Sequence, residues 1–140
     1  MALDPAWYPH LASEGYSLES DATNAYNCVA WAAGNNTQWW EPRAGYYWPP
    51  GVPKKFTVAA LMRLFEQFGY QICDNGQLED GYDKVAIYAL RRKAKHVARQ
   101  LPNGKWTSKC GGDIDIEHPL RGLEGPRYGA VVRVLKRQRE

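Results

Sequence analysis

Residues 84–110 read KVAIYALRRKAKHVARQLPNGKWTSKC, and the reading of this stretch decides the fold. Lys84 to Leu90 alternates among β-prone residues and predicts a buried strand. The basic turn Arg91-Arg92-Lys93, with Lys95, separates it from a second predicted strand, His96-Val97-Ala98-Arg99-Gln100-Leu101. Pro102-Asn103-Gly104 is a hairpin signal, after which Lys105 to Cys110 returns. With the loop centred on those three residues, Leu101 faces Lys105, Ala98 faces Ser108 and His96 faces Cys110. Side chains on one face of a strand recur every second residue, so His96, Ala98 and Gln100 share a face with Trp106, Ser108 and Cys110. Ser108 is then a diagonal neighbour of His96. A two-residue turn at Asn103-Gly104 would carry Ser108 to the other face instead.

On the N-terminal side, Thr57 caps an amphipathic helix in which Val58, Leu61, Met62, Phe65 and Phe68 recur at three and four residues, and Gly69 closes it. Tyr70 to Cys73 predicts a short strand, ended by Asp74-Asn75-Gly76. On the C-terminal side, Asp113 to Gly129 predicts a short helix at most, and Gly129 to Leu135 a final strand. Further upstream, Asn27 caps a helix that starts at Cys28 and ends at Gly34-Asn35. Residues 35–55 form a long loop rich in Asn, Pro, Gly and aromatics, and residues 1–23 a polar, aromatic arm. Helix, helix, then a run of strands predicts one α+β domain over residues 1–140, with a mainly antiparallel sheet.

The 140-residue length suits one domain that buries roughly two-thirds of its unfolded surface. No stretch approaches the roughly 20 apolar residues of a membrane span, and Met1-Ala2-Leu3-Asp4-Pro5 has no secretory pattern. A cytoplasmic location is expected, with signal-independent export left open. The 3 cysteines (Cys28, Cys73, Cys110) show no C-x-x-C spacing, which argues against a disulfide framework and against structural zinc. A zinc set of Cys28, His96 and Cys110 lacks paired ligand spacing, so no metal and no cofactor is expected. The net charge of +3 comes largely from Arg91-Arg92-Lys93-Lys95 and Lys136-Arg137-Arg139. These read as a solvated turn and a terminus rather than a nucleic-acid surface.

Chemistry points to Cys28. A thiol in the first turn of a helix meets unpaired N–H groups and the positive end of the helix dipole, both of which favour the thiolate. A thiolate nucleophile needs a base and a group that orients the base. Of His10, His96 and His118, His96 is best placed, because a strand holds a catalytic group more rigidly than a loop. Ser108, or else Glu117 or His118 if the acidic stretch folds back, would orient the ring. The Cys28 backbone N–H, with Asn27 or Tyr26 as second donor, would meet an oxyanion. Trp39, Trp40, Tyr47 and Trp48 either wall a substrate groove or form a small core beneath the long loop. Cys28 in turn could be a small buried apolar residue.

A cysteine at a helix start, followed by His96-Val97 opening a strand hairpin, resembles the papain-like cell-wall cysteine peptidases of the NlpC and CHAP type across residues 26–110. The resemblance implies a papain-like fold and a thiol hydrolase, a peptidase or amidase, with bacterial cell-wall peptide as substrate class. Its third polar position falls on Ser108, where those families normally carry His, Asn, Asp or Gln. A serine orients an imidazole more weakly than a carboxylate or an amide. The whole chain also resembles small bacterial proteins that share Asn27-Cys28-x-Ala30-Trp31-Ala32, Trp39-Trp40, Tyr47-Trp48-Pro49, Trp106-x-Ser108-Lys109 and Ile116-Glu117-His118, a likeness that implies no activity. The expected partner is a peptide or protein substrate, and an inhibitory partner protein stays open. Two rivals remain: a toxin-like or effector deamidase or acyl transferase with the same dyad, and a non-catalytic binding module that grips a partner with the Trp/Tyr loop.

Overall fold

The strand–turn–strand unit at the middle of the sequence is the middle of the sheet. The computed structural model describes residues 6, 8–10, 16–20, 25–109 and 115–139. Its elements are β1 (Ser17–Ser20), α1 (Cys28–Ala32), α2 (Val58–Gln67), β2 (Gln71–Cys73), β3 (Tyr82–Leu90), β4 (Lys93–Gln100), β5 (Trp106–Lys109), β6 (Asp115–His118), a 3-10 turn (Leu120–Leu123) and β7 (Ala130–Gln138). The fold is α+β. Among the described residues seven strands form one sheet in the order β1-β6-β5-β4-β3-β7-β2, and each neighbouring pair is antiparallel. No helix among the described residues is long and apolar enough to cross a membrane.

The β4–β5 register follows from the three-residue loop. Arg99 faces Thr107 and Gln100 faces Trp106. Leu101 N–H bonds Lys105 O at 2.7 Å, and Gly104 takes φ +88, the left-handed position that closes such a loop. The β3–β4 turn is tighter. Leu90 faces Lys93 across Arg91 and Arg92, which both take positive φ (52° and 68°), as a type I′ turn requires.

β3 lies between β4 and β7 with both faces covered, so Lys84 to Ala89 is buried throughout. On one face α1 and α2 pack against Val85, Ile87, Val97 and Leu135. Leu61, Leu64 and Phe65 of α2 are wholly buried there, each contributing roughly 2 kcal/mol of apolar burial. Thr57 caps α2 by accepting from Ala60 N–H at 3.1 Å. Phe68, expected on the apolar stripe, is the C-cap; it is partly exposed and rests against Trp40. On the opposite face, Ala86, Tyr88, Ala98, Trp106, Ile116 and Val134 form a second core under Leu123 and Tyr128.

Two elements differ from expectation. Asp115–His118, assigned to a stretch with a short helix at most, is strand β6, paired residue for residue with β5. Its alternation of Ile116 and His118 inward with Glu117 outward is a period of two too short to read without a neighbouring strand. The polar arm likewise supplies β1, which pairs with β6. The 3-10 turn at Leu120–Leu123 is the only helical turn recorded among the described residues of that stretch.

Candidate active site

Asn27 positions Cys28. Its side-chain oxygen accepts from Ala30 N–H at 3.3 Å, capping α1, and from Trp40 N–H at 3.2 Å, while Nδ2 donates to Trp40 O at 2.7 Å. The carboxamide therefore ties the first turn to the aromatic loop. Trp31 pins the other side of the helix, donating from Nε1 to Thr107 Oγ1 at 3.1 Å. The helix ends where Gly34 N–H reaches Trp31 O and Asn35 N–H reaches Ala30 O, with Gly34 at φ +89.

Cys28 packs in the helix-side core, and His96 lies across the sheet plane, stacked on Tyr128 at 4.1 Å and edge-on to Tyr88. The two meet at one cavity of about 460 Å³, lined by Cys28, His96, Leu90, Lys95, Arg127 and Tyr128. The Val97 N–H, one residue past His96, turns toward the Cys28 sulfur. β4 carries a bulge here, since Tyr88 faces His96 but Ala89 faces Ala94, leaving Lys95 as the extra residue. Cys28 also lines a second cavity of about 370 Å³ with Asn27, Trp39, Pro42, Arg43 and Phe56.

His96 is wholly buried, and neither ring nitrogen has a hydrogen-bond partner among the described residues. Leaving a buried polar atom so costs on the order of 1–3 kcal/mol. Burial, aided by nearby His118, holds its pKa well below the ordinary 6.5. For Cys28, burial also wins. The N–H groups of Val97, Val29 and Cys28 and the charge of Lys109 all favour the thiolate, yet desolvation pushes the thiol up to about 11. The expectation that a helix start would yield a thiolate thus fails for the resting state, because a five-residue helix supplies less than burial removes.

The Ser108 hydroxyl bonds His118 Nε2 at 2.7 Å and not His96. His118 Nδ1 lies 2.7 Å from Pro119 O, an acceptor only, so Nδ1 carries the proton and Ser108 donates to Nε2. The acidic stretch does fold back, bringing His118 to the His96 face. Glu117 faces the other way, accepting from Asn103 Nδ2 at 3.2 Å near Lys105. Tyr26 is buried, stacked on Trp31 at 5.3 Å, with Lys109 Nζ 5.3 Å from its ring. Among the loop aromatics, Trp39 lines a cavity, Trp40 and Trp48 belong to the core, and Tyr47 is exposed beside Trp40.

Tyr128 and Phe56 were not singled out from the sequence, and Lys109 only as part of a shared motif. Tyr128 had a readable signal. Gly125 and Gly129 exchange backbone bonds at 2.9 and 2.8 Å, and this closed turn presents Tyr128 to His96. Among the described residues no three His, Cys, Asp or Glu side chains form a group able to hold a metal ion; Cys110 lies outside them.

The molecule is thus an α+β domain with a buried thiol and a buried imidazole at one cavity. Residues 17–136 match the family described as "Domain of unknown function (DUF7689)", and the chain belongs to that family. No curated protein and no solved structure matches it.

Proposed function

We propose that the chain is a cysteine-dependent amide hydrolase, a peptidase or amidase of papain-like type, with Cys28 as nucleophile and His96 as base. The observation that carries this reading is the wholly buried His96, without a hydrogen-bond partner among the described residues, lining the cavity that holds the Cys28 thiol. Such an unmet group is expensive in a structural role and common in a catalytic one. Cys28 and His96 are both neutral at rest, so attack couples to proton transfer. The thiol proton moves to a His96 ring nitrogen as sulfur bonds the carbonyl carbon, and the oxyanion meets the Cys28 N–H. His96 then protonates the leaving amine as the C–N bond breaks. Water, activated by His96, hydrolyses the thioester and restores the thiol. Asn27 acts by holding the helix start, Tyr26 and Ser108 by packing and by fixing His118. Bacterial cell-wall peptide is the leading substrate class, by resemblance. A glutamine side-chain amide or an amine acceptor in the same step gives deamidation or acyl transfer.

A second reading, a binding module without catalysis, is favoured by the raised Cys28 pKa. Incubating peptide mixtures, cell-wall fragments and a glutamine-rich protein with wild type, Cys28→Ala and His96→Ala, followed by mass spectrometry, separates the two. The hydrolase reading expects cut or deamidated products, or an acyl adduct on Cys28, in wild type alone. Activity that survives Cys28→Ala, or no product and no adduct in wild type, overturns it.

A further inference from the structure

The two cavities that flank Cys28 differ in chemistry. On the Trp39 side the wall is mainly apolar, from Trp39, Pro42 and Phe56, and its charged members already engage each other, Arg43 Nε lying 2.6 Å from Glu41. On the His96 side the charged lining residues among those described are Lys95 and Arg127, both cationic. The adjoining hairpin adds Arg91, Arg92 and Lys93, all exposed. Among the described residues none of Arg91, Arg92, Lys93 or Lys95 has an ion pair, whereas Lys136 is paired with Glu79, and Arg137 and Arg139 with Asp83. Arg91 and Arg92 also occupy positive-φ positions that Asn-Gly would fill at lower cost. The turn between Leu90 and Lys95, both of which line this cavity, thus carries charge at two positions that backbone preference disfavours, and a wholly buried imidazole with no partner among the described residues lines the same cavity.

We infer that Cys28 sits between two subsites and that the ligand is a peptide segment with an apolar side chain on one side of the reacting amide and a carboxylate on the other. The inference rests on Cys28 being the reacting thiol. A small concave site with its aromatic ring stacked on His96 suits a carboxylate-bearing peptide better than a nucleic acid, which needs a long basic track or open stacking faces.

The test uses Cys28→Ala, which cannot react, and a panel of short peptides carrying Phe on one side of a central amide and Glu, Gln or Lys on the other, in both orders. Fluorescence anisotropy should show the Phe/Glu peptide binding roughly tenfold tighter than Phe/Lys, an effect falling with salt. Adding Lys95→Glu and Arg127→Glu should invert that order, and Phe56→Ala should weaken all Phe peptides. Equal binding across the panel, no binding, or an unchanged order after charge reversal overturns the inference. Preferential binding of single-stranded DNA, lost on charge reversal, overturns the peptide assignment. Binding as expected without turnover by wild type removes the hydrolase and leaves the subsites. Turnover without charge preference does the reverse.

Discussion

Acid should unfold this protein through its buried histidines. His118 is 1% exposed and its pKa falls from 6.5 to about 4, chiefly by desolvation. The unfolded chain binds a proton there below 6.5, whereas the native state resists until about 4. Stability is therefore complete above 6.5 and declines as pH falls through that interval. At 1.36 kcal/mol per unit, His118 alone withdraws about 2.5 kcal/mol by pH 4.5 and about 3 by pH 4. His96 shifts the same way and adds to the loss. The carboxyl groups of Glu79 and Asp83, held below their ordinary values of 4.5 and 3.8, contribute only at lower pH. Urea unfolding followed by tryptophan fluorescence at pH 7, 6, 5 and 4.5 measures the slope. His118→Gln keeps an acceptor for Ser108 but cannot titrate, so it should be less stable at pH 7 yet flatter by about 2.5 kcal/mol between pH 7 and 4.5. A wild type that loses under about 1 kcal/mol over that range, or a variant with an unchanged slope, would refute the reasoning.

Other outcomes are equally direct. Alkylation of Cys28 by iodoacetamide should climb about tenfold per pH unit from pH 7 to 9.5, as a thiol pushed up to about 11 requires; a plateau near pH 6 would mean a preformed ion pair with His96. Asn27→Ala removes the cap and both bonds to Trp40, and should cost about 2 kcal/mol in urea unfolding; a change under about 0.5 would show the tie to be idle. A Cβ on Gly129 would collide with Ala89 O at φ +77, so Gly129→Ala should cost at least about 2 kcal/mol and loosen Tyr128. A normal Tm for that variant would contradict the turn. Replacing Arg91-Arg92 by Asn-Gly should stabilise by about 1 kcal/mol while weakening Phe/Glu peptide binding; a gain in both would dissociate the strained turn from the anionic subsite.

The centre of the sheet was legible because its signals are local. Pro102-Asn103-Gly104 sets loop length, loop length sets register, and the register is seen where Arg99 faces Thr107 and Gln100 faces Trp106. Thr57 and Gly69 bracket α2 for the same reason. β6 was not legible, since four residues of alternating character carry no signal until β5 offers a ladder. The loop aromatics also needed context. Trp40 and Trp48 are core while Trp39 faces a cavity, and adjacent tryptophans in one loop look alike in sequence. Protonation was the least readable feature. Helix position pointed to a thiolate, and only the structure reveals that burial outweighs it. Likewise, Ser108 is a diagonal neighbour of His96 by register, yet its hydroxyl is taken by His118 from a strand the sequence hid.

The placement of Cys28 and His96 follows from a conflict between the two faces of the sheet. Alternation sends Val97 to the helix-side core and Ala98 to the opposite one, so His96 belongs to the face away from α1. Cys28 and His96 nonetheless line one cavity from the two sides of the sheet. The recorded β4–β5 pairs lie at Arg99 and Gln100, and nearer the start of β4 the Val97 N–H is directed at the Cys28 sulfur. The bulge at Lys95 bends the same segment. The cavity is therefore the seam between two cores, and a seam is where a groove can reach both groups without dismantling either core. It also explains why Cys28 and His96 are neutral: each is desolvated by its own core, and neither core supplies the other's counter-charge. Ionising either group alone is penalised, but transferring one proton from sulfur to nitrogen creates both charges together, and their attraction offsets part of both penalties. Chemistry at this seam, if Cys28→Ala and His96→Ala abolish it alike, is therefore governed by what fills the cavity rather than by bulk pH.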